Sequence, residues 1–93
     1  MKVVKLNRRF RQFKEHGHTV ALKFDEGHDS DAVDTQRLIR ARLGHNGWMR
    51  DHDWYSYYGD RNTRTMTRPY WITFRRESDL TMILLAMENN YNT

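Results

Sequence analysis

The segment DHDWYSYYGDRNTRTMTRPYWITFRR, residues 51–76, is rich in both aromatic residues and arginines. Aromatic rings stack on nucleobases at roughly 1–3 kcal/mol per base, and arginine binds phosphate oxygens through paired hydrogen bonds. The segment therefore predicts a surface that captures a phosphate-bearing ligand, either a nucleotide signal or a single-stranded nucleic acid. The alternative is that the rings pack across neighbouring strands beneath a second layer of protein.

Two predicted strands, WYSYY and PYWITF, would display this chemistry. In the second strand, apolar alternation buries the side that carries Tyr70, so Trp71 should face outward. The matching outward set in WYSYY is expected to begin with Trp54, although the alternation also permits the opposite set, Tyr55 and Tyr57. The side chains predicted to bind the ligand are Trp54, Tyr58, Arg61, Arg64, Arg68, Trp71 and Arg75.

A second basic patch is predicted near the N-terminus, where a short helix carries Arg8, Arg9 and Arg11. Twelve of the sixteen basic residues are arginine, and the formal net charge is +4. This composition suits an anionic partner, and the alternative is an arginine-rich but merely solvated surface. The sequence leaves open whether this patch and the arginines at 61–68 form one groove.

Metal-dependent chemistry has one candidate, the run Asp51-His52-Asp53. Zinc needs three or four converging ligands, whereas an extended segment points His52 away from the two carboxylates. The chain also contains no phosphate-binding loop, no dinucleotide-binding glycine pattern and no serine in a nucleophile elbow. We therefore expect no enzyme activity, no cofactor and no metal, with a small phosphoesterase built on His52 and Asp53 as the least favoured alternative.

The length of 93 residues predicts a single domain over 1–93 with a thin stability margin. No cysteine is present, so no disulfide can add stability. We therefore expect a homo-oligomer, most simply a dimer, whose subunit contacts supply the additional stability. The apolar runs are far shorter than the roughly 20 residues that span a membrane, and no signal-peptide pattern begins the chain. A cytoplasmic protein is expected.

The hydrophobic pattern predicts a small α+β domain in the order β-α-β-α-β-β-α, with an antiparallel sheet, helices on one face and a ferredoxin-like or related topology. Asn7 is the expected cap of the first helix and Ser78 that of the last, and a tight turn at 59–62 should precede an extended arm at 63–68. The predicted strands are 2–6, 18–24, 54–58 and 69–74, the predicted helices are 8–16, 31–43 and one that begins after Ser78, and 88–93 form a polar tail.

The last helix is apolar nearly all round, which predicts burial on several sides. Beside its main stripe, it carries Met82, Leu85 and Ala86. These three residues are the predicted interface with a second copy or with a partner protein. A second hypothesis is therefore a protein–protein inhibitor or structural adaptor, and the alternative is that this helix is the centre of the monomer core.

The segments NRRFRQFKEHGHTVALKF and RPYWITFRRESDL resemble small uncharacterised proteins of tailed bacteriophages, particularly T4-like marine phages. The resemblance covers most of the chain and implies no catalytic residues. It implies a role in takeover of the host cell, either by binding a host component or by sequestering a signalling nucleotide. The protein would then act in the cytoplasm of an infected bacterium.

Overall fold

The computed structural model describes residues 1–25, 30–44 and 53–91. The order β-α-β-α-β-β-α confirms the predicted α+β class. The helices and strands are β1 (Lys2–Lys5), α1 (Arg11–His16), β2 (Val20–Phe24), α2 (Ser30–Leu43), β3 (Trp54–Tyr58), β4 (Tyr70–Phe74) and α3 (Glu77–Tyr91). In this part of the chain, no helix is long and apolar enough to cross a membrane.

The four strands form one antiparallel sheet in the order β1-β2-β4-β3. Because β1 and β2 are antiparallel neighbours, the parallel crossover of a ferredoxin-like βαβ unit is not formed, and the observed sheet is antiparallel throughout. Cross-strand partners share a face of the sheet. The row Val20–Phe74–Trp54 therefore lies on one face, and the next row, Ala21–Thr73–Tyr55, lies on the other.

The hydrophobic core lies between the first of these faces and the helices α2 and α3. The alternation in β2 works as predicted, since Leu22 and Phe24 are fully buried on this face. The helices contribute Ile39 from α2 and Ile83 from α3, both fully buried. The two long helices thus cover one face of the sheet, and α1 lies on the other face.

Helix α1 is shorter than predicted because a turn replaces its first residues. The side chain of Asn7 accepts a hydrogen bond from the Arg9 N–H at 2.9 Å, and its carbonyl accepts one from the Phe10 N–H at 3.0 Å. Asn7 therefore starts a turn rather than capping the helix, and Phe10 occupies the cap position. The predicted end is confirmed, because Gly17 adopts a left-handed φ of 68° there.

Helix α3 begins one residue before Ser78, and the carbonyl of Arg76 accepts the first N–H groups. The predicted external interface on this helix is largely internal. Ala86 is buried and Met82 packs against the core, so only Leu85, at 57% exposure, remains on the surface. Two of the three residues that the sequence assigned to a partner are therefore packed within one chain, where α2 and α3 are in contact.

A matched pair of substitutions on α3 tests this burial. We expect Ile83→Ala to cost about 2–5 kcal/mol, because it opens a cavity in a fully packed site. Leu85→Ala should change the free energy of unfolding by no more than about 0.5 kcal/mol if no partner covers it. Urea denaturation of both variants measures the difference. A large loss for Leu85→Ala would mean that this surface is covered by another molecule.

Candidate functional site

The face of the sheet opposite α2 and α3 carries a cluster of aromatic side chains. The register sets Tyr57 opposite Trp71 and Tyr55 opposite Thr73, so these four side chains lie on this face. Trp71, Tyr57 and Tyr55 are only half-buried. The outward position predicted for Trp71 is confirmed.

The outward set predicted for β3 is wrong. Trp54 pairs with Phe74 and lies in the core with 1% exposure, and its Nε1–H donates to the Gly44 carbonyl at 3.2 Å. Tyr58 is 54% exposed, but it lies on the helix-bearing face, where its ring meets Tyr70 edge-on at 5.1 Å. Tyr55 and Tyr57 are therefore the outward-facing residues of β3, as the alternative assignment predicted. The indole of Trp54 is larger than a tyrosine ring, so its burial fills more of the core.

The rings on this face form a continuous series of contacts. Phe10, at the start of α1, meets Trp71 edge-on at 5.6 Å between ring centroids. The Trp71 and Tyr57 rings are parallel within 4° at 6.2 Å, and Tyr57 stacks on Tyr55 at 6.0 Å. Tyr55 stacks in turn on His16 at 6.2 Å. We call this series the aromatic row; its members are Phe10, Trp71, Tyr57, Tyr55 and His16.

A buried polar contact fixes α1 and its following loop to the sheet beneath the row. His18 is 1% exposed, and its Nδ1 lies 2.7 Å from the Thr73 hydroxyl oxygen. The Thr73 hydroxyl also lies 3.3 Å from the Tyr55 carbonyl oxygen. These hydrogen bonds connect the loop after α1 to β4 and β3 beneath the aromatic row.

Trp71 is the point where several segments meet. The Lys23 Nζ lies 5.3 Å from the centre of its ring, a favourable cation–π arrangement. Gly59 passes so close on another side that an added Cβ would lie 2.9 Å from the indole Nε1 and 3.0 Å from the Pro69 ring. Glycine at 59 therefore permits the base of the β3–β4 hairpin to pack against this indole.

Two arginine-bearing segments flank this ring. Arg8 and Arg9 are exposed in the turn that leads to Phe10, and Phe10 contacts Trp71. The hairpin loop, which begins after Gly59 and ends at Pro69, carries the other segment. Its exposed arginines are Arg61, Arg64 and Arg68. The first segment adjoins Phe10 and the second begins after Gly59, and both Phe10 and Gly59 pack on Trp71.

Two predicted arginines are engaged elsewhere. Arg11 donates to the Glu15 carboxylate at 2.9 Å, and this hydrogen bond raises the pKa of Arg11. Arg75 lies 3.7 Å from the Asp53 carboxylate at the far end of β4, roughly 13 Å along the strand from Trp71. Arg11 and Arg75 are therefore peripheral to the surface around Trp71.

The hairpin loop is more ordered than the predicted extended arm. An isolated bridge joins Asn62 to Thr67, and the Asn62 carbonyl accepts the Met66 N–H at 2.8 Å. The Asn62 side chain accepts the Arg64 N–H at 2.9 Å. The turn therefore spans 62–67 rather than 59–62. Met66 lies in it with a left-handed φ of 57° and 66% exposure.

Burial changes the acidity of two tyrosines. It raises the pKa of Tyr57 to about 12, with a further contribution from the neighbouring Tyr55. It also raises the pKa of Tyr70 on the opposite face, partly offset by a hydrogen bond with Ser56. Tyr57 is protonated at neutral pH, as any tyrosine is, and the raised pKa extends this neutral form to higher pH. Its ring stacks on Trp71.

The candidate metal run Asp51-His52-Asp53 is only partly described. Asp51 and His52 lie outside the described residues, and the Asp53 carboxylate faces Arg75. Across 1–25, 30–44 and 53–91, no three histidine, aspartate or glutamate side chains form a group that could hold a metal ion.

No protein family matches the chain, and no curated protein or solved structure shows significant similarity to it. The resemblance to small phage proteins therefore stays a prediction, and the function of the surface has to be inferred from its own chemistry.

The acidity of Tyr57 predicts a specific loss of stability at high pH. Its pKa is about 12 in the folded protein against an ordinary value of 10.0. The folded state thus holds the proton more tightly, and the free energy of unfolding falls as pH rises between these two values. Tyr57→Phe removes this contribution. Urea denaturation at about pH 9 and about pH 11 should show a smaller fall for Tyr57→Phe than for wild type. An equal fall in the two proteins would contradict the burial of the hydroxyl.

Proposed function

We propose that the protein is a non-enzymatic binding protein that captures a phosphate-bearing ligand, a nucleotide signal or a single-stranded nucleic acid, on the face that carries the aromatic row. The observation that carries the proposal is that two segments of exposed arginines adjoin Phe10 and Gly59, which pack on the half-buried Trp71. Nucleobases would stack against the indole and the neighbouring tyrosine ring. Phosphates would bind the guanidinium groups on either side.

The lack of ion-pair partners for these arginines among the described residues supports the proposal. Within the described part of the chain, the two ion pairs involve Arg11 and Arg75. The five arginines of the two segments form no ion pair among the described residues, and all of them are exposed. They are Arg8, Arg9, Arg61, Arg64 and Arg68. Their donors are thus available to phosphate oxygens, since no carboxylate of the described chain neutralises them.

The alternative, a protein partner bound at α3, has less to support it. Of its three predicted contact residues only Leu85 is well exposed. A single exposed leucine is ordinary on a protein surface and does not make a binding patch. The predicted dimer likewise stays a prediction, and the protein–ligand contacts proposed for the aromatic row do not require it.

Arginine substitution tests the phosphate contacts. Arg61, Arg64 and Arg68 are replaced together by Gln, and the matched control replaces Arg37, Arg40 and Arg42, exposed on α2, by Gln. Fluorescence anisotropy measures affinity for a labelled single-stranded octanucleotide as a function of salt. The salt slope for single strands is about −0.7 per neutralised phosphate, so the hairpin variant should lose roughly two units of slope.

The control and the hairpin variant have the same net charge, because each loses three arginines. The control should nevertheless retain most of the wild-type salt slope, because α2 lies on the opposite side of the sheet from the proposed site. Equal losses in the two variants would mean that only the total charge matters and would remove the hairpin from the site.

Stacking on Trp71 is tested by a second pair of substitutions. Trp71→Leu removes the aromatic face while keeping an apolar side chain, and should weaken binding by about 1–3 kcal/mol, the usual contribution of one stacked base. Trp71→Phe keeps a ring and should lose less. Circular dichroism and thermal unfolding establish that both variants are folded. Identical affinity of folded Trp71→Leu and wild type would exclude stacking on this indole.

A further inference from the structure

A cavity of about 490 Å³ lies between the end of β2 and the hairpin loop, beside the Trp71 end of the aromatic row. This volume is in the range of sites that hold small organic molecules. Its lining combines one lysine, two carboxylates, an amide and two threonine hydroxyls, with the Pro69 ring as the main apolar element. The lining therefore offers several hydrogen-bonding groups to a small polar group.

The two carboxylates, Asp25 and Asp60, restrict what that group can be. Both are exposed, and within the described residues neither makes a hydrogen bond or an ion pair. An ionised carboxylate only accepts hydrogen bonds and repels a phosphate. Against the single Lys23, the two carboxylates leave the lining with a net negative charge, so the cavity favours a neutral group that donates hydrogen bonds over a phosphate.

Neutral or acidic polar side chains alternate with cations along the hairpin loop. Asp60 and Asn62, which line the cavity, flank Arg61, and Thr65 and Thr67 follow Arg64. The Asn62 side-chain oxygen already accepts the Arg64 N–H, which leaves the amide NH₂ as a donor toward the cavity. A nucleotide chain alternates in the same way between a charged phosphate and a neutral sugar.

From this arrangement we propose that the cavity is a ribose subsite and that the surface prefers ribonucleotides to deoxyribonucleotides. The proposal rests on the proposed function. The 2′-hydroxyl donates its proton to Asp25 or Asp60 and accepts a hydrogen bond from the Asn62 amide. The 2′-hydroxyl is the group that distinguishes RNA from DNA, and it is both donor and acceptor. The base remains outside the cavity, against the aromatic row.

The test compares a labelled RNA octamer with the DNA octamer of the same base sequence, using oligouridine and oligodeoxyuridine. Anisotropy titrations give the ratio of the two dissociation constants for wild type and for the double variant Asp25→Asn, Asp60→Asn. Wild type should bind the RNA roughly tenfold more tightly, the effect of one hydrogen bond to a charged group. In the double variant this ratio should fall toward one.

The ratio is the readout because removal of two negative charges strengthens binding of both octamers. The matched control, Asp34→Asn with Glu88→Gln, removes two exposed carboxylates of α2 and α3 and should keep the wild-type ratio. A ratio near one for wild type, with tight binding of both octamers, would refute the ribose subsite and leave the proposed function standing. A ratio that falls equally in the control would also refute the subsite. Binding of neither octamer would refute the ribose subsite and the single-stranded nucleic-acid form of the proposed function.

Discussion

The sheet of this protein has two faces, and the two long helices of the described residues both pack on the same face. Helices α2 and α3 bury the face that carries Leu22, Ile72 and Phe74. The opposite face is covered by a helix of six residues and by aromatic side chains. Large rings shield much of a sheet at the cost of few residues, and their flat surfaces stay partly open to solvent. The site we propose lies on this second face, where aromatic rings rather than a long helix cover the sheet.

The positions of the cations cannot be explained by folding stability. Arg11 and Arg75 each have a carboxylate partner, and exposed pairs of this kind contribute little. Arg8, Arg9, Arg61, Arg64 and Arg68 are exposed and have no such partner among the described residues. They therefore add no ion-pair stabilisation to the folded chain, and no carboxylate of the described residues fixes their positions.

Much of the fold could be predicted from the sequence because the relevant patterns have a single interpretation. The alternation in β2 and the left-handed Gly17 at the end of α1 were predicted for the correct physical reasons. The β3 strand was ambiguous because aromatic residues occupy both of its faces. Its assignment depends on which ring fills the core better, and that is a property of tertiary packing. The same limit explains Ala86, whose burial depends on where α2 crosses α3.

The binding surface combines parts that no local pattern links. The turn at Asn7 and the hairpin at 62–67 are far apart in sequence, and they adjoin Phe10 and Gly59, which both pack on Trp71. Both segments are held by backbone hydrogen bonds, and Met66 keeps a left-handed conformation that is costly for a residue with a side chain. Ordering a loop on binding lowers affinity, so a loop that is already ordered in the free protein retains more of its contact energy. The hydrogen bonds therefore favour a hairpin backbone that is formed before any ligand arrives, and the exposed side chains of Arg61, Arg64 and Arg68 extend from it.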